Sequence, residues 1–200
     1  MRLIVGITGA TGAIFGIRIL EVLRELQVET HLILSKWAEA TIRLETDFEV
    51  EDVVSLATVV HSSANQAASV ASGSFRTDGM IIAPCSMKTL AAIRTGYSDT
   101  LIARAADVVL KERRKLILLV RETPLNDIHL ENMLALSRMG AVILPPMMTF
   151  YNQPASLEDA VNHIVARVLD QFDIEANLTD RWGPKNTIAA NDAGHQRDER

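Results

Sequence analysis

Leu3-Ile4-Val5-Gly6-Ile7-Thr8-Gly9-Ala10-Thr11-Gly12-Ala13 opens the chain, and its two halves follow different rules. Residues 3–7 are a nearly unbroken apolar run, the pattern of a strand covered on both faces. The residues after it are small or carry hydroxyls, and they lead into a helix at 14–26 with Ile17, Leu20, Val22, Leu23 and Leu26 at helical spacing. Such a junction suits an anion, because small residues let the backbone come close and the new helix offers unpaired N–H groups at the positive end of its dipole. The Gly6, Gly9 and Gly12 spacing can also serve only to ease helix packing on the strand, so the turn alone does not choose a ligand.

Outward from this turn the same alternation repeats. Strands are expected at 30–34, 80–83, 116–120 and 142–144, with helices at 37–45, 51–57, 87–93, 100–112, 126–139 and 156–169. Ser35 stands at an N-cap position, Gly140 ends the 126–139 helix, and Ser156-Leu157-Glu158-Asp159 resembles a capping box. Residues 59–73, rich in Ser, Ala and Asn, read as loop with helical turns, and Pro84 reads as the end of the 80–83 strand. Strands alternating with helices give an α/β fold with a mostly parallel sheet and helices on both faces. Ligands then sit beyond the carboxyl ends of the strands. Thr8 to Gly12, Ser35, Ser86 to Thr89 and Arg121 all follow strands and should converge there.

The 200 residues carry 48% hydrophobic side chains and a formal charge of -5, enough for one domain with a core and without the basic face that nucleic-acid backbones require. Gly6 and the turn behind it interrupt any signal-peptide-like run, and no apolar stretch is long enough to span a bilayer. A single cysteine, Cys85, gives no disulfide framework and fits the cytoplasm. From Asn177 the chain turns polar, so residues 1–175 read as the functional domain and 176–200 as a C-terminal polar tail.

Individual residues leave alternatives open. Ser35-Lys36 occupies the place where a nicotinamide enzyme usually has an acid for the ribose, which favours a mononucleotide over NAD. Pro84-Cys85-Ser86-Met87-Lys88-Thr89 offers hydroxyls and a cation, or an ordinary N-cap. Arg121 and Glu122 emerge at the ligand-bearing edge, or pair structurally. Tyr151 follows an unpatterned apolar segment that can line a pocket or fill core. Arg167 can snorkel to solvent or reach an anion, and no His, Cys, Asp and Glu set has metal-ligand spacing.

Taken together, Gly-Ile-Thr-Gly-Ala-Thr-Gly-Ala at 6–13, Pro-Cys-Ser-Met-Lys-Thr-Leu at 84–90, the Arg-Ala-Ala-Asp-Val-Val-Leu-Lys-Glu run at 104–112, Arg-Glu-Thr-Pro-Leu at 121–125 and His-Leu-Glu-Asn-Met at 129–133 closely resemble the UbiX-type flavin prenyltransferases. The resemblance extends from Leu3 to about Phe172. It implies a flavodoxin-like Rossmann fold in a homo-oligomer, typically a dodecamer, with FMN held between subunits. By matching positions it assigns FMN contacts to Gly9, Ala10, Thr11, Ser35, Ser86, Met87, Lys88, Thr89 and Arg121. It assigns the prenyl-phosphate site to Arg104, Lys111, Tyr151 and Arg167, with Trp182 similar to the family's cation-steadying tryptophan and Glu122 as a proton handler. Lys111, Glu122 and Ser86 are the expected catalytic set.

The implied reaction joins a dimethylallyl group from dimethylallyl phosphate to N5 and then C6 of reduced FMN, without a metal, yielding prenylated FMN for a UbiD-type decarboxylase. Thr11 departs from the serine of many members; the hydroxyl survives and a methyl is added. The branch it resembles is that of phenolic-acid decarboxylase operons. An alternative is an FMN-dependent decarboxylase of a cysteine-derived substrate, whose Pro-Xaa-Met-Asn-type motif this chain lacks. A further one is an FMN carrier, which would need no Lys111, Glu122 or Arg167.

Overall fold

The computed structural model describes residues 1–182. In chain order it holds β1 (Arg2–Ile7), α1 (Ala13–Glu25), β2 (Glu29–Leu34), α2 (Lys36–Glu45), α3 (Val50–Ser55), β3 (Val59–Ser62), β4 (Gly79–Cys85), α4 (Met87–Thr95), α5 (Leu101–Lys111), β5 (Lys115–Val120), α6 (Asp127–Arg138), β6 (Val142–Ile143) and α7 (Leu157–Asp170), with a 3₁₀ turn at Ser69–Ala71. The strands form one sheet in the order β3-β2-β1-β4-β5-β6, and every neighbouring pair is parallel. This is the Rossmann order, reversing direction between β1 and β4; without the edge strand β3 the remaining five run in flavodoxin-like order.

Alternate strand residues feed two cores. Leu3, Val5, Ile7, Leu32, Ile81, Ala83, Ile117 and Leu119 pack with α1, α2, α3 and α7 on one face. On the other, Ile4, Ile33, Met80, Ile82, Leu116 and Leu118 pack with α4, α5 and α6. Both faces of the central strands are therefore dry, which explains their near-continuous apolar sequence. Helix starts follow local chemistry: Ser35, Ser86 and Thr100 each accept a hydrogen bond from an N–H of the first turn, and Ser156 and Asp159 close a capping box on α7.

Two elements differ from the sequence expectation. β3 is a strand where loop was expected: it is a mostly exposed four-residue edge strand, too short for a period, held by its register His31↔Val59 to Leu34↔Ser62 on β2. β4 runs on through Pro84 to Cys85, with a register shift between Ile82 and Cys85. A proline is tolerated at such an irregularity because the ladder there asks for no N–H.

Candidate functional site

The carboxyl ends of β1, β2, β4 and β5 are stitched together. Buried Thr8 donates its hydroxyl to the Pro84 carbonyl at 2.7 Å and accepts from the Ser86 N–H at 2.9 Å. Ser35 N–H bonds the Ile7 carbonyl at 3.0 Å, and Arg121 N–H bonds the Cys85 carbonyl at 3.1 Å. One rim thus holds Gly9, Ala10, Thr11, Ser35, Ser86, Met87, Lys88, Thr89, Arg121 and Glu122. Ser86 Oγ lies 3.1 Å from Thr89 Oγ1 and accepts from the Thr89 N–H, so both hydroxyls are fixed at the start of α4. A β-carbon on Gly9 would stand 2.2 Å from that of Trp37, and Gly12 sits at φ +96, so the first turn demands glycine twice.

The N-terminus of α1 is not an open phosphate cradle. Glu45, the last residue of α2, accepts from the Gly12 N–H at 2.7 Å and from the Ala13 N–H at 3.4 Å. A carboxylate already sits at this dipole's positive end, beside Thr11. Cys85 ends β4 fully buried, and burial pushes its thiol up to about 12, so it packs and does not react.

A second region lies along α7. Residues Leu144, Met147, Tyr151, His163, Arg167, Asp170 and 176–182 enclose a cleft of about 730 Å³. Arg167 pairs with Asp170 at 2.7 Å, and Arg181 reaches the other oxygen of the same carboxylate at 2.7 Å. Tyr151 stands edge-on to Trp182 with ring centres 5.0 Å apart, and to His163 at 5.7 Å. Burial, then the charge of Arg167, lowers the pKa of His163 against the opposing pull of Asp170. Ala176 and Leu178 pack on the core beside α7, so the start of the polar segment forms one wall of this cleft.

Arg104 and Lys111 occupy a third place. α5 runs back against the strands, and its end meets the segment that leads into β4. Arg104 Nε donates to the Ala71 carbonyl at 3.2 Å and its Nη1 to Asp107, and Lys111 pairs with Glu112 next to Gly73. The hydrogen bond from Lys111 holds the Glu112 carboxyl below the usual range. Within one chain, the sequence-derived residues are therefore brought together in three groups.

A model of the flavoprotein family matches residues 1–172. A probable UbiX-like flavin prenyltransferase of Streptomyces sp. (strain D7) is 62% identical over 183 residues, 91% of this chain and 92% of its own. The chain belongs to the UbiX-like flavin prenyltransferases.

Among solved relatives in this family, the dodecameric FMN-dependent UbiX-like decarboxylase of Escherichia coli O157:H7 aligns with TM-score 0.90 and 62% identity over 92% of this chain and 100% of that one. AnUbiX (PadA1), in complex with FMN and dimethylallyl pyrophosphate, aligns with TM-score 0.90 and 56% identity over 91% and 97%. Residues of this UbiX-like rim fit a flavin mononucleotide on their own terms. Ser35, Ser86 and Thr89 are half-buried hydroxyls, Gly9 leaves room for close backbone approach, and the Arg121 guanidinium makes no hydrogen bond among the described residues.

Sequence reasoning missed Glu45, Asp170 and His163. Nothing local marks Glu45, because its partners lie 33 and 32 residues away. His163 left a trace: it interrupts the apolar stripe of α7 and is nonetheless buried. Among the described residues, no group of three or more His, Cys, Asp and Glu could hold a metal ion, and no helix is long and apolar enough to cross a membrane.

Proposed function

We infer that this protein is a flavin prenyltransferase that joins a dimethylallyl group from dimethylallyl phosphate to N5 and C6 of reduced FMN. Membership of the UbiX-like family carries this reading, and the stitched rim supports it. The bound reduced flavin supplies the nucleophilic nitrogen and carbon. Gly9, Ala10, Thr11, Ser35, Ser86, Met87, Lys88, Thr89 and Arg121 would hold the flavin, through hydroxyls and backbone fixed by the Thr8 bridge and through the Arg121 guanidinium, which is unpaired among the described residues. Burying most of a ligand against such pre-set donors orients it without further ordering cost.

On the donor side, Arg104, Lys111, Arg167 and Tyr151 would neutralise and hydrogen-bond the departing phosphate. Positive groups aimed where negative charge develops lower the barrier most in a water-poor site. Tyr151 and Trp182 offer ring faces to the allylic cation, and Glu122, exposed at the rim, would manage the proton there. Arg104 and Lys111 lie on a different surface from the rim, so a complete site needs a second copy of the chain. A dodecamer like that of the Escherichia coli relative satisfies this. Exposed Ile128, Leu130 and Leu134 on α6, with Met147, Met148 and Phe150, provide apolar surface for it. A UbiD-type decarboxylase is the proposed consumer of the product, and the lone reduced Cys85 supports a cytoplasmic setting.

Anaerobic incubation of the purified chain with reduced FMN and dimethylallyl phosphate, followed by mass spectrometry of the extracted flavin, should reveal added C5H8 mass; unmodified FMN alone would refute the reading. A single turnover with the monophosphate and with the diphosphate identifies the donor, the monophosphate being expected to react.

A further inference from the structure

The cleft along α7 contains a histidine that the transfer reaction leaves without a role. His163 is 4% exposed, and its Nδ1 lies 3.3 Å from Thr179 Oγ1 and 3.4 Å from Asn152 Nδ2. Thr149 donates its hydroxyl to Asn152 Oδ1 at 3.0 Å, which turns the amide nitrogen of Asn152 toward the imidazole and toward Thr179 Oγ1. An amide nitrogen only donates, so Nδ1 presents its lone pair and the ring hydrogen sits on Nε2. Three separate pieces of chain meet at this one atom: the 149–152 loop, α7 and the 177–182 segment. The loop carries Tyr151 and the segment carries Trp182, the two rings that stand edge-on at 5.0 Å.

We propose that His163 is a positioning residue whose neutral imidazole pins the 149–152 loop to α7, holding Tyr151 against Trp182 and beside Arg167, and that a proton on Nδ1 releases the loop. The meaning of the cleft for prenyl transfer rests on the proposed function; the pin itself does not. A protonated Nδ1 turns a second donor toward the Asn152 amide nitrogen, which has no lone pair to accept it. Thr179 can rotate its hydroxyl to accept, so the 177–182 segment stays, and the loop is loosened from α7, keeping only its 3.4 Å contact from Asn152 to Thr179.

The charges around the ring set where this happens. Arg167 and Asp170 lie on α7 itself, Asp180 and Arg181 on the following segment, and Tyr151 on the loop. Across the helix, Arg18 of α1 is engaged by Asn162 and Glu21. Burial and Arg167 outweigh Asp170, so the neutral ring persists at neutral pH and accepts a proton only below the usual imidazole range.

Two readouts on the full-length oligomer test this. With Trp37→Phe as background, emission from Trp182 should change on acidification from roughly pH 8 to pH 5 as Tyr151 leaves its edge. His163→Gln, which cannot take the proton, should abolish that inflection. Asn152→Asp, whose carboxylate accepts from an imidazolium, should move it upward by about one pH unit or more. In prenyl transfer, the KM for dimethylallyl phosphate should rise about tenfold across the acid range in excess of the same measurement on His163→Gln, with FMN affinity unchanged. That subtraction removes the titration of the substrate's own phosphate.

His163→Ala should raise KM at every pH, with recovery in His163→Gln; if the alanine variant fails to fold, the glutamine and aspartate variants decide. An unaltered Trp182 inflection in both of those variants overturns the pin, and so does a KM profile identical in wild type and His163→Gln. Absence of prenyl transfer in every protein would count against the proposed function alone, and the emission measurement would then decide the pin.

Discussion

The rim at the strand ends and the cleft along α7 hold their residues in opposite ways. At the rim, backbone groups and one buried hydroxyl tie four consecutive strand ends together, and the backbone ties continue the sheet ladder. In the cleft, side chains alone connect a helix to two segments that have no regular structure: His163 to Asn152 and Thr179, and Asp170 to Arg167 and Arg181. The first arrangement is rigid because moving any part breaks the sheet. The second can give way locally, since each tie is long or solvent-screened. The grip on a cofactor and the wall for a departing phosphate that we propose for these regions have these two different needs.

The largest effect should come from a residue in neither region. Lys111→Ala is expected to lower prenyl transfer by about a hundredfold or more, the cost of losing one preorganised charge at a developing anion. FMN binding, read by flavin absorbance of the purified protein, should persist. Glu122→Gln should behave alike. Because the two residues lie on different surfaces of one chain, oligomers reassembled from a mixture of both variants should regain part of the activity; mixtures that stay inactive would break the idea of a site completed by a second copy.

Next in size, Thr8→Val strikes the rim. It leaves the Ser86 N–H without its acceptor and the Pro84 carbonyl with only the Thr8 N–H at 3.3 Å, so a loss of about 2 kcal/mol is expected by denaturant unfolding, together with loss of FMN. Asp170→Asn strikes the cleft instead and should cost about 1 kcal/mol or less, because Arg167 and Arg181 are largely exposed. Its FMN affinity should equal that of wild type. Equal flavin loss in these two variants would erase the contrast between the regions.

The smallest effect concerns acid. Burial lowers the pKa of His61 and of His163, with His31 adding to the first and Arg167 to the second. The unfolded chain then binds protons that the folded one refuses, so stability is lost as pH falls below about 6.5 and is unaffected above it. Urea midpoints at a series of pH values check this, and His163→Gln should remove part of the slope.

Most of the sheet was readable because its central strands are dry on both faces and announce themselves as apolar runs, and after β2 and β4 a serine caps the next helix. Thr8, Ser35, Ser86 and Arg121 were legible for the same reason, since each follows a strand directly. β3 was not, because an edge strand of Val59, Val60, His61 and Ser62 carries no period and owes its shape to β2. Glu45 was invisible because a carboxylate's reach across 33 residues has no local signature. The cleft was half legible: family likeness marked Tyr151, Arg167 and Trp182, but the side-chain ties that hold them depend on rotamers that spacing does not encode. The separation of Lys111 from the rim follows from topology, as a helix returning from one parallel strand to the next must finish at the opposite edge of the sheet.

The bridge made by Thr8 leaves the proposed flavin seat without a hinge. Its left and right jaws share one oxygen atom, so they cannot open independently to admit a ligand or clamp down after it arrives. Entry and exit must therefore happen past the looser furniture along α7 or between copies, and flavin exchange should be paced by those parts while the seat itself stays unchanged.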